Sequence, residues 1–260
     1  MIENTFFHTL PIQYAATFGE QFDYLIEYSQ IKKNLKLFEK FLYRIRHHKG
    51  LHSSRIILDM GAGIGKAYSE VEYFKFVKKY SPDIFVLPDV LRDKAKTLKN
   101  FAMFQSYITD TSKVMLIAQG KDKTELIDCI RCYRAAYDNI LVGIPYRAFE
   151  ENLGDPLLFA FMRIRFVLRI SSLFPDVKFH LLGLWHPCEL TLLSLSNVIS
   201  CDSSYAYIMQ KARSLVDIRD PKATVSRVLK VNPKELLLSC YLLESFVPLK
   251  GGDINVRRRY

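Results

Sequence analysis

The chain has 260 residues, 49% hydrophobic and 25% charged, with a formal net charge of +10 and a pI near 9.3. That length and apolar fraction suit one barrel-sized domain over residues 1–260, and no apolar run reaches membrane-spanning length. The five cysteines (Cys129, Cys132, Cys188, Cys201 and Cys240) are odd in number and come with no secretory signal, which argues against a disulfide scaffold and for reduced thiols in a cytoplasmic protein.

The opening Phe6-Phe-His-Thr-Leu-Pro11 reads as a strand. Residues 20–46 read as helix, carried by Phe22, Leu25, Ile26, Phe38, Phe41 and Leu42, and Gly50 to Ser54 is a polar break. Six short apolar runs follow: Arg55–Asp59, Ile84–Asp89, Val114–Gly120, Ile140–Pro145, Phe179–Gly183 and Val198–Asp202. Amphipathic stretches lie between most of them, at Ser69–Tyr80, Asp93–Phe104 and Lys123–Tyr137. Residues 150–173 are the longest insertion, with Arg163, Arg165 and Arg169 at helical spacing, either a solvated face or phosphate contacts. Helix is predicted over Asp202–Ser214, a last short strand over Leu215–Ile218, and apolar helix over 222–247. Strand alternating with helix, over this length, predicts an α/β fold: a (β/α)₈ TIM barrel with helical insertions.

Barrel chemistry sits where strands end, so the residues closing each run matter most. Asp59, Asp89 and Gln119 fall at equal intervals of 30 residues. Asp59 opens Asp-Met-Gly-Ala-Gly-Ile-Gly65, a turn that lets backbone approach a ligand. The same pattern resembles the first motif of methyltransferases that bind S-adenosylmethionine, although an acidic residue is expected roughly 20 residues on in dinucleotide-type sites and Asp89 is 30 on. Asp89 either caps the next helix or accepts two N–H bonds from a guanine-like edge. Gln119 offers an amide to a base carbonyl with Gly120 permitting close approach, or the pair is a turn. Gly143 and Ile144 offer backbone N–H, and Asp202 is either a helix cap or a nucleophile. The Cys129-x-x-Cys132 pair lies in predicted helix and carries no zinc or redox assignment by itself.

Taken in order, Asp59-Met-Gly-Ala-Gly63, Asp89, Gln119-Gly120, Val142-Gly-Ile-Pro145, Leu181-Leu-Gly183 and Asp202 resemble the successive motifs of the tRNA-guanine transglycosylase superfamily over about residues 55–207. Pro82–Val90, Asp93–Leu98 and Cys201–Ala206 look like the branch found in phages and bacteria, the DNA-guanine transglycosylases that insert 7-deazaguanines. The tRNA enzymes carry a zinc site of three cysteines and a histidine; after Cys201 this chain has only Cys240 and no histidine, so no metal or other cofactor is expected. Gly63 stands where the family has an aromatic that stacks on the base, leaving Tyr68, Tyr146 or Trp185 as substitutes.

The resemblance implies exchange of guanine in DNA for a 7-deazaguanine, the 7-cyano form being the expected base. It implies Asp202 as nucleophile, Asp59 as general acid and base, and Asp89, Gln119, Gly120, Gly143, Ile144, Leu182 and Gly183 around the base. Phosphate contacts would fall to Arg163, Arg165, Arg169 and the tail Arg257, Arg258 and Arg259, in keeping with the net charge. The other classes are a tRNA-directed relative, the methyltransferase, and a non-catalytic nucleic-acid-binding subunit.

Overall fold

The computed structural model describes residues 5–47, 54–61, 69–146, 156–184 and 186–204, and within 233–240 residues 233, 234, 236, 237, 239 and 240. Eight parallel strands close into one barrel in sequence order. They are β1 (Thr5–Thr9), β2 (Asp23–Glu27), β3 (Ile56–Asp59), β4 (Ile84–Val86), β5 (Val114–Ile117), β6 (Leu141–Pro145), β7 (Lys178–Leu182) and β8 (Val198–Ser203). The barrel closes by pairing β8 with β1, Asp202 standing level with Phe7. The (β/α)₈ expectation is met, and β3 to β8 are the six apolar runs.

Side chains alternate between two cores, as the two-residue period of a strand requires. Phe7, Leu25, Ile57, Val86, Met115 and Ile117 point into the barrel, with Ile84 and Leu141, and fill it. Their neighbours Tyr24, Ile26, Ile56, Leu58, Leu116 and Val142 point outward to the helices. Each fully buried side chain of this size contributes about 1.5–3 kcal/mol, so both faces of every strand are committed and the register is fixed.

Three of the crossover helices start where short polar side chains take up their first free N–H groups. Ser69 accepts from Glu72 N ahead of α4 (Glu70–Tyr80), after α1 (Ile12–Phe18), α2 (Tyr28–Lys33) and α3 (Leu35–His47). Asp93 caps α5 (Lys94–Phe104), and Asp122 accepts from Thr124 N and Glu125 N to cap α6 (Lys123–Ala136). Two crossover helices then tie down strand ends. Tyr73 of α4 donates to Leu58 O at 3.0 Å or to Val86 O at 2.8 Å, and Tyr133 of α6 donates to Ile117 O at 2.9 Å. Buried carbonyls that run past the ladder are satisfied this way.

Two sequence expectations change. Residues 20–46 are not one helix: β2 occupies 23–27, and α2 and α3 follow it. Asp23-Tyr-Leu-Ile-Glu27 is buried on both faces from Asp23 to Ile26, so its apolar run has no period of two to tell it from a helix. The helix predicted over Asp202–Ser214 yields at its start to β8, which runs on to Ser203. The strand expected at Leu215–Ile218 lies outside the described residues, and the barrel closes on β1 to β8. Among the described residues, no helix is long and apolar enough to cross a membrane.

Below the strands, the N-terminal end is sealed by a polar knot. Asp23 accepts from Arg55 N at 2.7 Å and from the Arg55 guanidinium at 2.7 and 3.2 Å, and that guanidinium also donates to Thr5 at 2.7 Å.

Candidate active site

At the opposite, C-terminal end, the strands present carboxylates. Glu27 ends β2 and stands level with Asp59 at the end of β3. Asp89 follows β4, Gln119 follows β5, and Asp202 lies near the end of β8. Among the described residues, no lysine or arginine pairs with any of these four acids.

Asp202 is the most constrained of them. Its Oδ2 accepts from Thr9 Oγ1 at 2.7 Å. Its Oδ1 meets His180 Nε2 at 3.1 Å and accepts from Gly183 N at 3.1 Å. His180 and Asp202 are both buried, and the other ring nitrogen, Nδ1, lies 2.8 Å from Ser200 Oγ. Gly183 has φ +65°, and a Cβ there would stand 2.6 Å from Tyr146, whose ring covers it. Only glycine can both adopt this turn and leave the ring its place.

Asp59 and Asp89 sit in a different electrostatic setting. Loss of solvent, then the charge of Asp89, pushes the Asp59 carboxyl up to about 7; Gly61 N, donating at 3.0 Å, works against this, and Glu27 and Asp202 push further up. Burial likewise raises Asp89, to about 6, opposed by its hydrogen bond from Gln119. Gln119 Nε2 donates to Asp89 Oδ2 at 2.6 Å, while its Oε1 accepts from Arg92 N at 2.9 Å. The amide is thus fixed in orientation, and among the described residues one of its N–H groups is not engaged.

Not every residue singled out in the sequence serves as expected. Gly120 makes room for α6 rather than for a ligand: a Cβ would stand 2.5 Å from Glu125 Cβ. Gly143 and Ile144 lie within β6, in register with Ile117, His180 and Leu181, rather than beyond the ladder as an uncovered donor requires. Leu182 ends β7 and, half-buried, packs on the barrel's inner core.

Arg163 is a correction. It lies on α7 (Pro156–Leu173) and is fully buried, paired with equally buried Glu189 at 3.1 Å. Its guanidinium donates to Ile144 O at 2.6 Å, Leu182 O at 2.9 Å and Gly183 O at 3.0 Å. It therefore binds no phosphate; it holds the ends of β6 and β7. Spacing alone misled, because positions 163 and 165 lie on different sides of a helix. Arg165 and Arg169 do share an exposed face. Arg257, Arg258 and Arg259, together with Gly63, Tyr68 and Trp185, lie outside the described residues.

Sequence reasoning missed Thr9, Glu27, His180 and Ser200. His180 and Ser200 carried a signal, being polar residues inside the apolar runs Phe179–Gly183 and Val198–Asp202. Among the described residues, no group of three or more His, Cys, Asp or Glu is placed to hold a metal ion. No family model matches the chain, and no curated protein matches it.

Proposed function

We propose that this chain is a DNA-guanine transglycosylase, exchanging guanine in DNA for a 7-deazaguanine, with 7-cyano-7-deazaguanine as the incoming base. The observation that carries the reading is the pairing, at one barrel mouth, of a carboxylate fixed by hydrogen bonds, Asp202, with a carboxyl raised to about 7, Asp59. Two acids held in contrasting environments suit a nucleophile and a proton carrier.

The chemistry balances with those two groups. Asp202 attacks C1′ of the deoxyribose as the C1′–N9 bond breaks, and the bond's electron pair goes to N9. Asp59 supplies the proton that N9 takes up as guanine leaves. The incoming deazaguanine returns a proton to Asp59, attacks C1′, and releases Asp202. Asp89 accepts from N1–H and the exocyclic amine, and Gln119 donates to the carbonyl. The target nucleotide must leave the base stack to reach the barrel mouth, and Arg165 and Arg169 hold backbone without reading sequence.

The motif shared with methyltransferases belongs after the first strand of an open, doubly wound sheet; here Asp59 ends the third strand of a closed barrel. The deciding experiment incubates the protein with DNA or tRNA and labelled 7-cyano-7-deazaguanine, followed by digestion to nucleosides. Label in DNA supports the proposal. Label in tRNA alone assigns the tRNA branch, and saturable binding of S-adenosylmethionine without binding of the deazaguanine overturns the superfamily reading.

A further inference from the structure

The hydrogen bonds around Asp202 treat its two oxygens unequally. Oδ1 meets two groups, His180 Nε2 and Gly183 N, each at 3.1 Å. Among the described residues Oδ2 meets one, Thr9 Oγ1, at 2.7 Å. A carboxylate oxygen accepts in about two in-plane directions, so among these residues Oδ1 is saturated and Oδ2 keeps one lone pair free. We infer that His180 is a positioning residue that, with Gly183 N–H, occupies Oδ1 and directs the attack of Asp202 through Oδ2. The inference rests on the transglycosylase reading for its chemistry, but the geometry it describes does not.

The histidine is equipped for this task. An ionised carboxylate only accepts, so the hydrogen of the His180–Asp202 bond is on Nε2. A bare Nδ1 accepts from the Ser200 hydroxyl, 2.8 Å away, and that bond holds the tautomer. Phe7 packs on the ring edge-on at 6.0 Å between centroids, and His180 has no exposed surface, so the imidazole has one orientation. His180 touches the nucleophile and not the substrate. In the covalent step Oδ2 bonds to C1′ while the C1′–N9 electron pair leaves on the base. Oδ1 becomes the ester carbonyl, still holding its two donors. In the return step the same donors receive the charge that reappears on Asp202, which favours its departure from C1′.

Three replacements at His180 separate this role from simple packing. His180→Gln places an amide nitrogen near the position of Nε2, His180→Asn places one near Nδ1, and His180→Ala removes both. For base exchange, His180→Ala and His180→Asn should lower kcat about 10²-fold with little change in KM for the free base, as expected for a misplaced reacting group. His180→Gln should restore most of the loss. Equal activity of the Asn and Gln variants, or kcat unchanged in all three, overturns the inference.

A second readout does not depend on turnover. In ring ¹⁵N spectra of the unmodified protein, with the His180 signals identified from their loss in His180→Gln, the proton should be on Nε2 with Nδ1 bare. A proton on Nδ1 overturns the inference. If the wild-type protein exchanges no base while the ring shows Nε2–H, the transglycosylase reading fails and the His180–Asp202 geometry stands.

Discussion

Strands β2 and β3 carry charge at both ends, and the two ends are opposites. At the N-terminal end Asp23 and Arg55 form an ion pair at 2.7 Å, and the same Nη2 of Arg55 also donates to Thr5 at 2.7 Å. At the C-terminal end Glu27 and Asp59 stand side by side with like charge. Opposite charges across neighbouring strands stabilise a sheet, and like charges destabilise it. The same two strands therefore gain stability below and give some up above. What the upper end gains is a carboxyl that holds a proton up to about pH 7.

The contrast breaks most sharply at Asp202. Asp202→Asn should lower base exchange by at least about 10⁴-fold, the scale of losing a nucleophile, with the melting transition and DNA affinity nearly unchanged. Near-normal turnover in single-turnover assays would remove Asp202 from the mechanism.

Paired charges should instead show in stability. Arg163→Met takes the guanidinium charge from beside buried Glu189 and should cost about 3–5 kcal/mol by urea denaturation, partly recovered in the double variant Arg163→Met, Glu189→Leu. Arg55→Met at the other end should cost less, about 2–3 kcal/mol, because that arginine is partly exposed, and it should leave kcat at saturating DNA intact. A fall in kcat there would mean that the two ends are not independent.

Asp59 sharpens the comparison through pH. Its carboxyl titrates near 7 in the fold against an ordinary 3.8. Between those values the native state holds a proton that the unfolded chain has lost. Stability therefore falls as pH rises across that window and levels off above it. Asp59→Asn should remove its share of this slope and leave that of Asp89, raised to about 6, matching the parent near pH 4 and exceeding it by about 1–3 kcal/mol above pH 7 in urea denaturation. For activity, protonated Asp59 is the acid for the leaving base, so kcat/KM should fall above about 7, and ionised Asp89 reads the base, so it should fall below about 6. Glu27→Gln removes one like charge and should move the upper limb downward.

The smallest effect belongs to the outer face of α7. Arg165→Gln and Arg169→Gln should each flatten the salt dependence of DNA binding by about one in log–log slope, with exchange at saturating DNA unchanged. A salt slope that does not respond would take α7 out of the DNA-binding surface.

Most of the barrel was legible because six of its strands are apolar runs closed by polar, glycine or proline residues, and because Ser69, Asp93 and Asp122 mark helix starts by chemistry that needs no tertiary partner. β2 was not, since burial on both faces erases the alternation that distinguishes strand from helix. At the mouth, Asp59, Asp89, Gln119 and Asp202 could be placed from strand ends alone. His180 and Thr9 could not, because their partners exist only once the barrel closes: Thr9 and Asp202 are 193 residues apart; Glu27, itself a strand end, was hidden by the helical reading of β2. Arg163 shows the converse, a charge whose sign is plain in the sequence and whose buried partner, Glu189, is not.

Gly143 has a kinetic consequence. A methyl group at its Cα would stand 2.5 Å from Ile117 Cδ1, 2.9 Å from Leu182 Cδ1 and 3.0 Å from Met115 Sδ, so the barrel is already full just beneath its mouth. Among the described residues the far end is knotted by Arg55, Asp23 and Thr5, opposite the mouth. In the proposed exchange, guanine must go out by the way the deazaguanine comes in, and the two bases never share the site. The sugar must wait on Asp202 between them. Initial rates against both substrates should then give parallel double-reciprocal lines, the ping-pong pattern, with excess free guanine competing against the incoming base.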